Sequence, residues 1–286
     1  MKNDISEIMR ENYAKMSKSH KKIADFILKS YDWAAYMTAT KLAVSAGVSE
    51  STVVRFAIEL GYEGYPEFQR ALQDMARTNL TPNQRIALTN MRIGDSSVVE
   101  RVMNSDIDKI KYTLEHISNA DFDGAVDAIT EARRIYIIGA RSSSAIAQFF
   151  AHNLMMIFDN VKFIQESSES EIFEQAISIG DKDVMFAISF PRYSNRVIHA
   201  VNFAASRGAK VVSLTDSEMS PIAENASYLL TAQSDMASYV DSLVAPLSLV
   251  NALIDSITRK KQAEIKERFD NLENIWDDFN VYAKRK

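Results

Sequence analysis

The sequence predicts two folds in one chain: an all-α domain with a helix-turn-helix, then an α/β domain with a five-stranded, parallel, doubly wound sheet. In residues 1–77 the apolar side chains recur every three or four positions, which is the period of amphipathic helices. From Arg134 onward, short β-branched runs alternate with amphipathic segments, as in a parallel sheet covered on both faces. We therefore expect a helix-turn-helix domain at 1–77, a linker and connecting helix at 78–115, and an α/β domain with a C-terminal helix at 116–286.

Composition narrows the class of protein. The 286 residues include no cysteine, which excludes disulfides and thiolate metal sites. No run of 18 apolar residues occurs and the first residues lack a signal-peptide core, so we expect a cytoplasmic protein without a membrane segment. The net charge of −5 argues mildly against nucleic acid, although residues 1–77 carry 11 basic and 10 acidic side chains.

The segment at 42–62, LAVSAGVSESTVVRFAIELGY, has the pattern of a helix-turn-helix. We expect Thr38 to cap a first helix that ends at Gly47, and Ser49 to cap the second helix. The two helices need a small residue at their crossing and apolar residues that fix their angle. The residues expected in these roles are Ala43, Val44, Val48, Val53 and Ile58.

The start of the second helix carries the expected DNA contacts. Ser49, Ser51 and Thr52 can reach phosphates together with the helix N-terminus, and Arg55 can reach a phosphate or a guanine edge. Hydroxyls at this place often serve only as caps, and small helical bundles have many functions, so spacing alone leaves both interpretations open. Four upstream lysines fit a solvated helix face better than a phosphate-binding patch: Lys15, Lys18, Lys21 and Lys22.

Two serine-rich loops follow the first and third predicted strands. With the flavodoxin-like strand order 2-1-3-4-5, the order reverses between these strands, and ligands of open α/β sheets bind at such a reversal. Each loop combines hydroxyls with one arginine and opens a helix, which suits a small anion such as phosphate. Serine clusters also make caps and tight turns, so neither loop is specific by itself. The candidate ligands in IGARSSSA and ISFPRYSN are Arg141, Ser142, Ser143, Ser189, Arg192 and Ser194.

Both halves of the chain resemble parts of one family. Residues 19–77 are similar to the N-terminal domain of RpiR-family bacterial regulators, in KIADFIL, TKLAVSAGVSESTVVRF and ELGYEGYPEF. Residues 128–255 are similar to a SIS domain, the sugar-isomerase fold that forms the effector half of these regulators. The resemblance implies a helical head that binds operator DNA as a dimer or higher oligomer, and a domain that binds a sugar phosphate.

The resemblance also implies which hydroxyls hold the sugar phosphate: Ser142 or Ser143 after the first strand, then Ser189 and Ser194 after the third. The sequence departs from the family pattern in both loops. The expected second glycine of the first loop is Arg141. The common Ser-x-Ser-Gly-x-Thr loop is here Ser-Phe-Pro-Arg-Tyr-Ser, which loses one hydroxyl and gains the cation of Arg192. The exact ligand set and the identity of the anion therefore stay open.

The sequence shows no arrangement typical of catalysis or of a metal site. His152 and His199 lie in predicted helices, where we expect packing or surface roles, and no histidine shows a metal-ligand spacing. Glu166 and Glu169 follow the second strand and could approach the reversal, but the helix dipole also favours acidic residues there. We expect no enzyme, no cofactor and no metal.

These features predict a transcription regulator whose operator binding is controlled by a phosphorylated sugar or a related metabolite. We expect a homodimer or homotetramer. One alternative is a sugar-phosphate isomerase or lyase with an accessory helical head, which turnover of an aldose phosphate would reveal. Another is a regulator whose head binds protein, in which case R55A would leave DNA affinity unchanged.

The segment at 260–285 predicts one long helix. Its apolar residues are spaced 4, 3, 4 and 3 apart, as in a coiled-coil seam. Packing on its own domain and contact with another subunit both fit this spacing. The seam residues are Ile265, Phe269, Leu272, Trp276 and Phe279.

Overall fold

The computed structural model describes residues 5–79, 81–91, 97–165, 168–235 and 240–282. They form two compact units, a helical unit up to Met91 and an α/β unit from Ser97 onward. Among the described helices, none is both long and apolar enough to cross a membrane.

The helical unit is built from short helices around one apolar core. Its described part contains α1 (Ile5–Asn12), α2 (Lys18–Lys29), α3 (Tyr31–Ala34), α4 (Ala39–Ala46), α5 (Glu50–Glu59), α6 (Tyr65–Asn79) and α7 (Pro82–Met91), with a 3-10 turn at Tyr13–Lys15. At the centre of the core the ring of Phe56 meets the rings of His20 and Phe68 edge-on, at centroid distances of 5.5 and 5.6 Å. These aromatic contacts fix α5 against α2 and α6.

The predicted caps of the helix-turn-helix are confirmed. The Thr38 hydroxyl accepts a hydrogen bond from the Lys41 amide at 3.2 Å, and α4 ends at Gly47, whose φ of 63° favours glycine. The Ser49 hydroxyl accepts from the Thr52 amide at 3.3 Å and so begins α5.

Two of the residues expected to fix the angle between α4 and α5 were assigned wrongly. The Val44 side chain is 78% exposed and that of Ile58 is 53% exposed. The buried side chains are their neighbours Ala43 and Ala57, together with Val53. A shift of one residue turns a side chain by about 100° around a helix, which is enough to move it from the core to the surface.

The α/β unit contains the predicted five-stranded sheet. Its helices are α8 (Val98–His116), α9 (Asn119–Glu131), α10 (Ser142–Ile157), α11 (Glu169–Ala176), α12 (Asn195–Ser206), α13 (Val244–Lys260) and α14 (Gln262–Asp278). Its strands are β1 (Ile135–Gly139), β2 (Val161–Ile164), β3 (Val184–Ile188), β4 (Lys210–Thr215) and β5 (Tyr228–Thr231). All pairs are parallel and the order is β2-β1-β3-β4-β5, as predicted.

Alternate residues of the central strands enter two separate cores. Ile137 and Phe186 face a core shared with α9, α10 and α13, whereas Tyr136 and Met185 face a core shared with α11 and α12. The sheet is therefore covered on both faces, which explains why its central strands are apolar at every position.

The expected domain boundaries at 77 and 115 each fall inside a helix. The first lies within α6, which extends to Asn79, and the second within α8, which extends to His116. Part of the expected linker is itself helical, since α7 occupies Pro82–Met91. Polar composition alone does not distinguish such a surface helix from a linker.

The helix predicted at 260–285 is shorter in the structure, where α14 covers Gln262–Asp278 and Lys260 belongs to the preceding helix α13. The chain turns at Lys261 between α13 and α14, and Ile265, the first residue of the seam, is buried in the core of the α/β unit. The far end of the seam is not covered, because the Phe279 side chain is 77% exposed.

An ion pair between the exposed Arg133 and the buried Asp183 joins the amino ends of β1 and β3. The Arg133 guanidinium donates to the two carboxylate oxygens of Asp183 at 2.9 and 2.6 Å, and to the Ser178 carbonyl at 3.2 Å. The Asp183 carboxylate is fully buried and also accepts from the Gly180 amide at 2.9 Å. This pair anchors the sheet at the edge opposite the serine-rich loops.

Candidate functional site

The predicted DNA contacts lie together at the exposed start of α5. The Ser49 hydroxyl lies 3.0 Å from that of Ser51 and 2.7 Å from that of Thr52. Ser49 and Ser51 are exposed and Thr52 is half-buried. Ser49 thus caps its own helix, and the linked hydroxyls also present donors beside the helix N-terminus, where phosphate oxygens bind well.

Arg55 lies one turn farther along the same face. Its guanidinium is exposed, and its Nε donates to the Ser51 carbonyl at 3.3 Å. Ile58 continues this exposed face by one more turn, as its spacing of three residues from Arg55 requires. The sequence alone does not show which face of α5 is exposed. This isoleucine beside Arg55 could therefore be recognised only once the packing of the helix was known. The face combines a cation, hydroxyls and an apolar group, which are the contacts that a major groove accepts.

The two serine-rich loops are brought together at one edge of the sheet. Gly139, the last residue of β1, pairs with Ile188, the last residue of β3, so both loops leave adjacent strands at their carboxyl ends. The strand order reverses between β1 and β3, as predicted. The candidate residues Ser142 and Ser194 stand at the starts of α10 and α12.

Gly139 allows α10 to begin very close to the sheet. A Cβ atom at this position would lie 2.7 Å from the Ser143 carbonyl oxygen and 3.0 Å from the Ala147 Cβ. The first turn of α10, which contains Ser143, therefore packs directly over the end of β1.

Ser143 and Ser189 are largely buried residues at this edge. Their side chains are 4% and 3% exposed, and among the described residues neither hydroxyl has a hydrogen-bond partner. Ser194 stands at the cap of α12 without accepting a hydrogen bond from that helix. Neither Oγ is among the fully buried polar atoms that lack a partner, so both hydroxyls reach the surface at this edge, where a ligand could contact them.

The two candidate arginines hold unusual backbone conformations. Arg141 has a φ of 55° and Arg192 a φ of 25°, and both side chains are exposed. Arg141 directly precedes α10. At both positions the resemblance implies glycine, and a positive φ favours glycine over arginine.

Residues after β4 extend the site and were missed in the sequence. The Tyr193 hydroxyl donates to Asp216 Oδ1 at 2.9 Å, and the Thr215 hydroxyl contacts Asp216 at 3.2 Å and Ser220 at 2.8 Å. These bonds tie the loop after β3 to the end of β4. The same strand-end rule that singled out the serine loops would have pointed to Asp216, which directly follows β4.

Of the two acidic candidates, only Glu169 lies among the described residues. Glu166 lies outside the described residues. Glu169 begins α11 and pairs with His199 of α12, with both side chains half exposed. Within the described part of the chain, no three His, Asp or Glu side chains cluster closely enough to hold a metal ion.

Comparison with known proteins assigns both units to one family. A family model described as the helix-turn-helix domain of the rpiR family matches residues 3–79, and one described as a SIS domain matches residues 128–256. The uncharacterized HTH-type transcriptional regulator YfhH of Escherichia coli is 30% identical over 225 residues, which cover 78% of this chain and 79% of that protein. The chain belongs to the RpiR family.

Two further proteins match over nearly the whole length. The HTH-type transcriptional regulator HexR of Escherichia coli is 27% identical, covering 95% of this chain and 93% of its own. The solved structure of the Vibrio vulnificus NanR protein complexed with ManNAc-6P superposes with a TM-score of 0.61 and 25% identity, covering 98% of this chain and all of that one. The predicted family and fold are therefore confirmed, and the chain is an RpiR-type transcription regulator with a SIS domain. The roles of its individual site residues stay predictions.

Proposed function

We propose that a phosphorylated sugar, bound between the loops after β1 and β3, controls how tightly this RpiR-family regulator binds its operator. The observation that carries the proposal is the position of Ser143 and Ser189 at the strand-order reversal, where both residues are largely buried but their hydroxyls still reach the surface and bond to no other described residue. Two long helices, α10 and α12, also begin there, and their N-termini favour an anion. The NanR neighbour, which was solved with ManNAc-6P, supports this ligand class.

We assign operator binding to the exposed face of α5. Ser49, Ser51 and Thr52 would contact phosphates, and Arg55 would contact a phosphate or a base edge. A regulator acts where the chromosome lies, so the protein would work in the cytoplasm.

The α/β unit would act as a sensor without turnover. The relatives YfhH and HexR are named as transcriptional regulators, and the one described acidic residue proposed as a base, Glu169, is engaged with His199. Incubation with aldose phosphates tests this directly. Formation of a ketose product would show that the α/β unit is an isomerase and not only a sensor.

We propose that two copies associate through one face of α8. Its inner side is polar, since Lys109 and Thr113 are buried, and the Thr113 hydroxyl accepts from the Gln233 amide at 2.9 Å. On most surface helices the outer side is polar and faces water. The outer side of α8 is instead apolar, which indicates that another protein surface covers it. This α8 stripe consists of Val99, Met103, Ile107, Ile110 and Leu114, all exposed. It runs about 22 Å along the helix.

A second copy is the occupant that fits this stripe best. Operators are commonly read as two half-sites by two-fold symmetric dimers, and a two-fold axis needs a self-complementary surface. One straight apolar helix face meets this requirement, because it can pack against its own copy.

The sensing site is tested by S143A in calorimetric titrations with phosphorylated sugars. Loss of a hydrogen bond to a charged phosphate costs about 1.5–3 kcal/mol, so we expect roughly 10- to 150-fold weaker binding. S206A is the matched control, because Ser206 ends α12 and its hydroxyl bonds the Phe203 carbonyl at 2.7 Å, away from the loops. Equal losses in both variants, or no binding of any phosphorylated sugar to the unaltered protein, would refute the proposed site.

A further inference from the structure

Three side chains form one exposed line along α5. Ser51, Arg55 and Ile58 are spaced four and three residues apart, which places them on one face of the helix. The opposite face enters the core of the helical unit through Val53 and Phe56. Ile58 is 53% exposed, so it belongs to this α5 stripe and not to the core.

Both acidic residues of α5 contact neighbouring helices. The Thr40 hydroxyl of α4 donates to Glu50 Oε2 at 2.9 Å. At the other end of α5, Glu59 Oε2 lies 2.9 Å from the Nδ1 atom of His20 on α2. Since these contacts direct the two carboxylates toward α4 and α2, the α5 stripe itself carries no negative charge that would repel DNA phosphates.

The α5 stripe changes from polar to apolar along its length. Arg55 Nε donates to the Ser51 carbonyl one turn back at 3.3 Å, which directs the guanidinium toward the start of the helix. Ile58 therefore forms the other end of the stripe. A single exposed apolar side chain needs no explanation by itself. This one lies in line with the expected DNA contacts, where its methyl groups can be buried only against an apolar part of the DNA.

The major groove presents one apolar group to a protein, the C5-methyl of thymine. Phosphates and the other base edges offer hydrogen-bonding groups, for which isoleucine has no partner. Three residues of helix rise about 4.5 Å and base pairs are stacked about 3.4 Å apart, so Ile58 reaches a base pair adjacent to the groups that Arg55 contacts.

We infer that Ile58 contacts the methyl group of a thymine and makes thymine a specific requirement at one position of the operator. The inference rests on the proposed operator binding by α5 and adds the base that the apolar end of the stripe recognises. It predicts that affinity depends on a methyl group alone. Uracil tests this, because it pairs as thymine does and differs only in lacking that methyl.

The test compares two forms of the promoter DNA from beside the encoding gene, one containing thymine and one synthesised with deoxyuridine in place of every thymidine. Fluorescence anisotropy gives the affinity of the full-length protein for each form. We expect the unaltered protein to bind the uracil form more weakly, by about fourfold for each methyl that Ile58 buries. Equal affinities for the two forms would overturn the inference and leave operator binding intact, whereas binding to neither form would overturn the proposed operator function as well.

I58A separates this methyl contact from every other effect of uracil on DNA. The variant should melt at the same temperature as the unaltered protein, because Ile58 is exposed, and its loss of affinity for the uracil form should be smaller by about fourfold per methyl. I86A is the matched control, since Ile86 is 44% exposed on α7 and lies outside the α5 stripe. It should keep the full loss with uracil. An I58A protein that loses as much affinity with uracil as the I86A protein would refute the contact.

Discussion

The backbone at position 192 favours glycine, but the residue there is arginine. Its φ of 25° belongs to a region that costs a residue with a Cβ about 1–3 kcal/mol. Glycine removes this strain but loses about 0.5–1 kcal/mol more conformational entropy on folding. We therefore expect R192G to raise the free energy of unfolding by about 1 kcal/mol, measured by urea denaturation.

R207G serves as the comparison for this stability change. Arg207 follows the same helix, α12, at a φ of −91°, where glycine relieves no strain. We expect R207G to lower the free energy of unfolding. A decrease in R192G of the same size would show that Arg192 is not strained.

Asp183 makes the stability depend on pH. Its burial by itself raises its pKa, but the hydrogen bonds from Arg133 and the Gly180 amide, with the charges of Arg133 and Arg134, hold the pKa below its ordinary value. A lowered pKa in the folded state stabilises the fold above the unfolded-state value of about 3.9, and this contribution is lost as pH falls through the folded-state pKa.

D183N measures this contribution. We expect the variant to be less stable than the unaltered protein at pH 7, and the difference to shrink as pH falls below about 4. Urea denaturation across a pH series gives both curves, with D123N, an exposed aspartate on α9, as control. A difference that stays constant down to pH 2 would contradict the assignment to the Asp183 carboxylate.

Individual site residues could be predicted only in part. Both serine loops follow from the order of strands and helices, because parallel strands bring their carboxyl ends to one edge. The positive φ of Arg141 and Arg192 depends on the path of each loop, which residue type does not determine. The tie between Tyr193 and Asp216 joins residues 23 apart and required the packed sheet.

At the scale of elements, caps were easier to predict than helix faces. Thr38, Gly47 and Ser49 act through bonds within a few residues, so their positions in the sequence suffice. The exposed positions of Val44 and Ile58 depend on which side of a short helix meets its neighbours. The break at Lys261 likewise follows from packing, since the helical pattern continues through it.

The α4–turn–α5 element gives a sharp test of DNA contact. We expect R55A to weaken operator binding roughly 5- to 100-fold, because a charged contact to a phosphate or base is lost. R70A is the matched control: Arg70 Nε donates to the Pro66 carbonyl four residues back, just as Arg55 Nε donates to that of Ser51. Fluorescence anisotropy with labelled operator DNA measures both, and similar affinities for the two variants would exclude Arg55 from the interface.

At the scale of the whole molecule, the α8 stripe predicts the assembly. We expect M103E/I107E to convert a dimer into a monomer, measured by light scattering during size-exclusion chromatography, because two buried charges would oppose association. N104E/K111Q, exposed positions on the same helix beside the stripe, changes the charge equally and should remain dimeric. A dimer in both variants would place the interface elsewhere.

The central claim is that one ligand site controls operator affinity, and an operator titration with effector present tests it most directly. Labelled promoter DNA from beside the encoding gene is titrated with the protein, without effector and with each phosphorylated sugar that binds by calorimetry. A coupling free energy of about 1–3 kcal/mol between the effector site and the DNA-binding face predicts a 5- to 150-fold change in operator affinity. Operator affinity that stays the same at saturating effector, or no operator binding under any condition, would contradict the account.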